Sequence, residues 1–419
     1  MVESKEIIQE TDEPVLWNHS FQLLLVASGI AALGASLVSP ILDTLVGPFG
    51  VSPDRIGLVI SALFAPAIVL NPIIGLVIDR YRRKPVLVVG LVLFGIAGSL
   101  IAFTTDFRTA LVLRFLQGCG FSATIPVAVT LISDLYSTET QATAQGFRLA
   151  SAGLFQFVFP IIGSLLVIFS WRAPFLIYAL SLPIALFVYL YFEEENRHND
   201  SRDGKPISLD SSTGLTLLLQ QRQIAALVLA HGLVYVPQMG FLTYNSIIIV
   251  RALDGKPIHS GVLMAVVSIT LAITATQAGR ISGFFSNPIA PLFLGNLLLG
   301  GGLFMFSSAP NVLVAAFGVV GLGAGIGVLG SLFRSRLGNI APAENRGVVM
   351  TINESVVMIS FTFTPIVIGF LTSPLVESVG LVDAVRLVLI AVSVCVATLI
   401  PILIGLGFPD DFSSMIPPR

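Results

Sequence analysis

The segment Gly75-Leu76-Val77-Ile78-Asp79-Arg80-Tyr81-Arg82-Arg83-Lys84 joins two long apolar runs, roughly 56–78 before it and 85–103 after it. Four cations and one anion occupy a connection too short to form a domain. Two lipid-spanning helices joined by a tight basic hairpin account for that pattern. Lys and Arg concentrate in short cytoplasmic loops, so the hairpin also predicts which side faces the cytoplasm.

The composition of the whole chain agrees with the hairpin. Of 419 residues, 55% are hydrophobic and 11% charged, with a mean hydropathy of +0.92. Soluble domains carry about 25% charged residues, so the expected solvent is a bilayer. A net charge of −2 gives no reason to expect a nucleic-acid partner. Cys119 and Cys395 both lie in apolar runs and read as small core residues, not as a disulfide or a metal site. No cofactor is expected. Residues 1–19 are acidic (Glu3, Glu6, Glu10, Asp12, Glu13) and lack the basic start and cleavage site of a secretory signal. They are predicted to be a cytoplasmic tail.

A spanning helix needs about 20 mostly apolar residues. Twelve segments qualify: 20–45, 56–78, 85–103, 109–133, 143–169, 173–192, 223–250, 259–279, 288–307, 310–333, 347–372 and 384–407. The runs are continuous and not alternating, which selects helices over a barrel. With the N-terminus inside, fifteen of the 22 Lys and Arg fall on the inner side and seven on the outer side, which favours both termini in the cytoplasm. The polar stretch 193–222 divides the chain into six-helix halves, 20–192 and 223–407, with a further tail at 408–419. It is predicted to be a cytoplasmic linker. The halves echo each other. Gly90, Gly95, Glu139 and Pro160 match Gly295, Gly300, Glu344 and Pro365 at an offset of 205, and Gly75 matches Gly279 at 204. Such internal repeats are typical of secondary transporters, whose substrate site lies between the halves.

The chain resembles the major facilitator superfamily over residues 20–407. The family's pattern between helices 2 and 3 is Gly-x-x-x-Asp-Arg-x-Gly-Arg/Lys-Arg/Lys; Gly75, Asp79, Arg80, Arg83 and Lys84 fit it. Arg82 stands where the family usually has glycine, a departure that bears on the turn, because glycine takes positive φ cheaply. Arg114-Phe115-Leu116-Gln117-Gly118-Cys119-Gly120 matches the helix 4 pattern Arg-x-x-Gln-Gly-x-Gly. Phe159-Pro160-Ile161-Ile162-Gly163-Ser164 retains part of the helix 5 motif of the drug–proton antiporter branch, with two glycines missing. The resemblance implies an all-α membrane protein: twelve transmembrane helices in two pseudo-symmetric six-helix bundles around a central cavity.

It also implies a cytoplasmic gate built from Gly75, Asp79, Arg80, Arg83, Lys84, Asp134 and Arg346. In it Asp79 accepts hydrogen bonds at the start of helix 11, near Asn345 to Val348, and Arg83 reaches Asp134. The other reading of the hairpin is a solvated topogenic loop. Arg114 lies in the outer part of helix 4, where a charge needs a partner, a wet cavity or a route to the headgroups. Control of a carboxylate's pKa, and so of proton coupling, is one reading; snorkelling is the other. Asp43 lies at a depth where it could meet Arg114, and also fits an interface residue. Glu354 and Arg148 sit at nearly symmetry-related positions and are expected to pair across the cavity. Asp43, Arg114 and Glu354 are thus the proton-coupling candidates. Arg148, Gln117, Gln156, His231, Tyr235, Gln238, Asn245 and Asn353 are the cavity candidates, each with interhelical hydrogen bonding as the competing reading. The Gly-rich run 318–330 lacks the Lys-Ser/Thr of a phosphate cradle and reads as close helix packing.

The expected function is secondary active transport of a small, amphipathic or hydrophobic compound by alternating access, with proton-coupled efflux first. The alternative is proton- or sodium-coupled uptake of a small nutrient or metabolite. A membrane-embedded enzyme is distant: no paired Asp, Ser/His or His/Asp stands at helical spacing in the spans. The expected partners are the lipid bilayer, a small-molecule substrate and protons. The expected state is a monomer in the cell membrane.

Overall fold

A computed structural model describes residues 18–80, 82–136, 138–192, 221–342 and 345–407. The predicted linker and both tails lie almost wholly outside them. The described chain is helical, without strands, and contains twelve helices long and apolar enough to cross a membrane. In chain order they are α1 (His19–Phe49), α2 (Leu58–Arg80), α3 (Arg83–Leu100), α4 (Phe107–Leu135), α5 (Thr138–Leu166), α6 (Ala173–Tyr191), α7 (Arg222–Ala252), α8 (Pro257–Gly283), α9 (Ala290–Ser307), α10 (Val312–Ile340), α11 (Arg346–Val379) and α12 (Leu381–Gly407).

Local chemistry sets the ends. Asn18, Asp106 and Asn311 cap α1, α4 and α10 by accepting from the N–H groups of Phe21, Thr109 and Val314. Gly50 at φ +60° closes α1, four residues beyond the predicted end. Pro40 breaks α1 into a 3₁₀ turn at Ser39–Ile41. Arg82 sits at φ −60°, ψ 136°, extended backbone that any residue adopts. The turn therefore does not require the glycine that the family pattern places there.

In the N-terminal half α2 and α3 lie along α4, and α1 along α5. In the other half α8 and α9 lie along α10, and α7 along α11 and α12. Small residues set these approaches. A Cβ on Gly120 would collide with the Gly90 carbonyl of α3, and one on Gly325 with the Leu299 backbone of α9, so the glycine run of α10 serves close packing. The halves meet through α2 against α11 and α5 against α8, two contacts that a half-to-half exchange turns into each other. Each pair runs lengthwise between the bundles, and together they frame a central space.

The two ends of this frame differ. At the end away from the Gly75–Lys84 hairpin, one apolar cluster runs continuously from the N-terminal half (Leu33, Leu42, Leu63) into the C-terminal half (Leu242, Ile247, Met264). At the hairpin end the N-terminal half has a separate cluster of its own, including Phe21, Leu87 and Leu131. The core thus joins the bundles at the far end and divides them at the hairpin end.

Candidate functional site

The polar contacts between the halves gather at the far end. Arg251 Nε of α7 donates to Asp43 Oδ1 of α1 at 2.5 Å. Ser246 Oγ donates to the Pro40 carbonyl at 2.9 Å, and Asn245 Nδ2 to Ser39 Oγ at 2.9 Å. Ser260 of α8 donates to Asn245 Oδ1, and Ser39 to the Leu242 carbonyl. The break at Pro40 turns Ser39 and Asp43 toward α7, so the far end closes on a buried polar cluster with an ion pair at its rim. The expected meeting of Asp43 with Arg114 does not occur, because α7 carries a nearer cation. Asn245, expected on the cavity wall, is fully buried inside this closure.

Arg114 lies within the N-terminal bundle and is fully buried. Its Nη1 donates to the Gly34 carbonyl at 3.0 Å, Gln117 Oε1 at 2.7 Å and the Tyr178 hydroxyl at 3.3 Å. Its guanidinium lies 5.6 Å from the Phe175 ring centroid and 5.4 Å from that of Tyr178. No carboxylate pairs with it among the described residues. Gln117 is buried beside it and not on a cavity wall, because its three-residue spacing holds it to the same face of α4.

At mid-depth an aromatic row crosses the halves. Tyr235 of α7 packs on Phe361 of α11 with centroids 5.4 Å apart, Phe361 on Phe64 of α2 at 4.9 Å, and Phe64 on Phe121 of α4 at 5.7 Å. Sequence reasoning missed Phe64, Phe121 and Phe361, since a phenylalanine inside an apolar run carries no signal. Gln156 and Ser268 add a polar link here, the Ser268 hydroxyl donating to the Gln156 carbonyl at 3.3 Å.

Below the row, toward the hairpin end, the C-terminal half presents a linked polar group. Glu354 precedes Phe361 by seven residues and so shares its face of α11. It lies eight residues, about 12 Å, into that helix. Arg334 Nη2 of α10 donates to Glu354 Oε1 at 2.9 Å, and the two side chains are 54% and 46% exposed. The expected pair of Glu354 with Arg148 is replaced by this one. Arg148 instead donates through Nε to Gln145 Oε1, one turn earlier on its own helix, at 2.9 Å. Arg334 was counted with the inner cations in the sequence but not recognised as a site residue. Its two-turn distance from the end of α10 was the available signal.

His231 is fully buried one helix away, with Nδ1 2.8 Å from Asn353 Oδ1 and Nε2 3.4 Å from the Tyr235 hydroxyl. An amide oxygen only accepts, so Nδ1 carries the proton and Nε2 is the acceptor for Tyr235. Gln238 continues the same face of α7, and its Oε1 is buried without a hydrogen-bond partner. Asn353 neighbours Glu354 in sequence, so the histidine and the exposed ion pair are joined through one turn of α11.

At the hairpin, Arg83 forms an ion pair with Asp134 at the end of α4. Lys84 Nζ donates to the Phe192 carbonyl at 2.6 Å. Gly75 lies in α2 with open space where a Cβ would stand, and Arg346 opens α11, exposed. The expected contacts of Asp79 and Arg80 lie outside the described side chains. Among the described residues no group of three His, Cys, Asp or Glu is placed to hold a metal ion.

Three kinds of likeness bear on this geometry. The sequence profile described as Major Facilitator Superfamily matches residues 24–335. "Tetracycline resistance protein, class B" of Escherichia coli is 30% identical over 190 residues, covering 44% of this chain and 47% of that protein. "Multidrug resistance protein 1" of Bacillus subtilis (strain 168) is 26% identical over 189 residues, 45% of this chain and 49% of its own. The chain thus spans about half the length of these curated relatives. "Multidrug transporter MdfA" of Edwardsiella ictaluri (strain 93-146) is 24% identical over 310 residues, 73% of this chain and 74% of that protein. Among solved structures, a bacterial homolog of the human lysosomal transporter Spinster, inward-facing and unoccupied, superposes with a TM-score of 0.78 at 16% identity. That match covers 94% of this chain and 97% of the other.

Proposed function

The chain belongs to the Major Facilitator Superfamily and is a transporter, not an enzyme. From that premise we propose that it exports small amphipathic or hydrophobic compounds in exchange for protons by alternating access. The relatives named for multidrug and tetracycline resistance support the direction. The hairpin end is assigned to the cytoplasm on the bias of Lys and Arg, in a cell membrane with both termini inside. The open space between the bundles then faces the cytoplasm.

The observation that carries the reading is the Arg334–Glu354 pair beneath the aromatic row. An ion pair this exposed is worth about 0–1 kcal/mol, so a proton or a cargo can part it cheaply. An unpaired carboxylate in a closing, lipid-bounded cavity is costly. Glu354 therefore crosses either protonated or matched by a cation, and a cargo that competes with the proton for it is exchanged for it. The apolar part of the cargo lies against Phe64, Phe361 and Tyr235, while His231, Asn353 and Gln238 orient its polar part. Arg83–Asp134, with Asp79, Arg80, Gly75, Lys84 and Arg346, forms the cytoplasmic gate.

The test uses purified protein in vesicles with an imposed pH gradient. Solute and proton flux are followed together over a panel of amphipathic compounds. Wild type is expected to move protons when cargo is present. Glu354→Gln is expected to retain downhill cargo exchange but lose its response to the pH gradient. Cargo movement with no proton movement, or an unchanged gradient response in Glu354→Gln, overturns the proposal.

A further inference from the structure

α2 and α3 each lie along α4 but not along each other. Between them, at the hairpin end, they leave a groove of about 520 Å³. Its floor is made of the small residues Gly90, Cys119 and Ala123, and its rims of Val77 on α2 and Val89 and Leu93 on α3. The groove does not open toward the other half, because α3 packs within the N-terminal bundle and makes no contact with α7 to α12. Val89 is accordingly 65% exposed, and the surface that carries it faces the bilayer.

One lining side chain is charged. Arg82, at the mouth, caps the start of α3. Its extended backbone would suit any residue, so what the arginine adds over the family's glycine is its guanidinium. α3 opens without a side-chain cap, which leaves first-turn N–H groups at the same mouth and the positive end of the helix beside them. An apolar trough leading to a cation and a helix N-terminus at interfacial depth matches one molecule in the surroundings: a phospholipid.

We propose that this groove holds one acyl chain of an anionic phospholipid, with its phosphate on Arg82 and the first turn of α3. The headgroup is anionic and not zwitterionic because the hairpin concentrates four cations within five residues, among which a choline ammonium is repelled. The site is separate from the transport pathway, so it stands or falls independently of the cargo and of proton coupling.

Native mass spectrometry of the delipidated full chain in detergent tests it. The protein is titrated with dioleoylphosphatidylglycerol, dioleoylphosphatidylcholine and glycerol 3-phosphate. Phosphatidylglycerol is expected to bind at least tenfold more tightly than phosphatidylcholine, and glycerol 3-phosphate not measurably. Arg82→Gly is expected to erase most of that preference, and Ala123→Phe, which fills the floor, to weaken both lipids. Val89→Glu, an exposed rim substitution that leaves the packing untouched, is expected to weaken phosphatidylglycerol more than phosphatidylcholine. Equal binding of the two lipids by wild type, or an unchanged preference in both Arg82→Gly and Val89→Glu, overturns the proposal. Binding of glycerol 3-phosphate as tight as that of the lipid assigns the site to free phosphate and overturns it too.

Discussion

Arg114 carries a full charge into a place with no exposure and no carboxylate beside it among the described residues. Three oxygens and two ring faces solvate it instead. A buried charge held this way seldom repays its desolvation, and an apolar residue of similar size is often tolerated as well or better. The planar fork of arginine is another matter, since a lysine ammonium cannot reach three acceptors spread over α1, α4 and α6. We therefore expect Arg114→Lys to lower stability by about 1–3 kcal/mol, the cost of buried acceptors left unpaired. Arg114→Met should cost less while still impairing transport. Thermal unfolding in detergent followed by intrinsic fluorescence decides the order. A methionine variant less stable than the lysine variant makes the guanidinium a structural element and nothing more. The Arg114–Gln117 contact was legible in sequence, because three-residue spacing on a helix brings the two side chains together. Gly34 and Tyr178 were not legible: they lie 80 and 64 residues away, and only the packed bundle brings them in. For the same reason Asp43 was matched to a cation at similar depth in its own half, when its partner stands 208 residues on.

Helices were the most legible level, since crossing a bilayer imposes a length and an apolar composition that hydropathy reads directly. What hydropathy does not carry is how a helix begins. The start of α4 depends on Asp106, whose Oδ2 accepts from the Thr109 N–H at 2.8 Å and from the Thr109 hydroxyl at 2.6 Å. Those bonds, the hydroxyl's first, hold the carboxyl below its ordinary value of 3.8. A carboxylate whose folded pKa is depressed stabilises the fold above its unfolded pKa and loses that contribution as pH falls through the folded one. Asp106→Asn keeps a cap oxygen but does not titrate. The melting temperature of wild type should therefore exceed that of Asp106→Asn at pH 6, with the gap closing below about pH 4, the region of an ordinary aspartate. A gap independent of pH shows that the charge of Asp106 plays no part in starting α4. The predicted and observed ends of α1 differ for a related reason. Hydropathy sees the apolar run weaken near residue 45, whereas the helix continues until Gly50 supplies a left-handed residue.

Over the whole molecule, the two ends answer each other through a single set of alternatives. The far end is shut by Asp43–Arg251 and by the buried Ser39–Asn245–Ser260 cluster, while the cores of the two halves separate at the hairpin end. A rocking carrier must lose one closure to gain the other, so the balance between its two states depends on how strongly each holds. The far-end ion pair is more sheltered than Arg334–Glu354, with Asp43 only 11% exposed. Removing one member leaves a charge without its partner, which costs more than an exposed pair contributes. Asp43→Asn should thus shift the population toward the state open at the far end, and Asp43→Asn with Arg251→Gln should shift it less than the sum of the two single changes. Thr243, fully buried in the closure on α7, provides the reporter. Thr243→Cys, made with Cys119→Ser and Cys395→Ser, is expected to react several-fold faster with a membrane-impermeant maleimide added from the far side once Asp43 is replaced. Addition of a cargo that favours the opposite state should slow that reaction again. Equal labelling rates with Asp and with Asn at position 43 mean that the ion pair is a surface contact on a gate held by the apolar core alone.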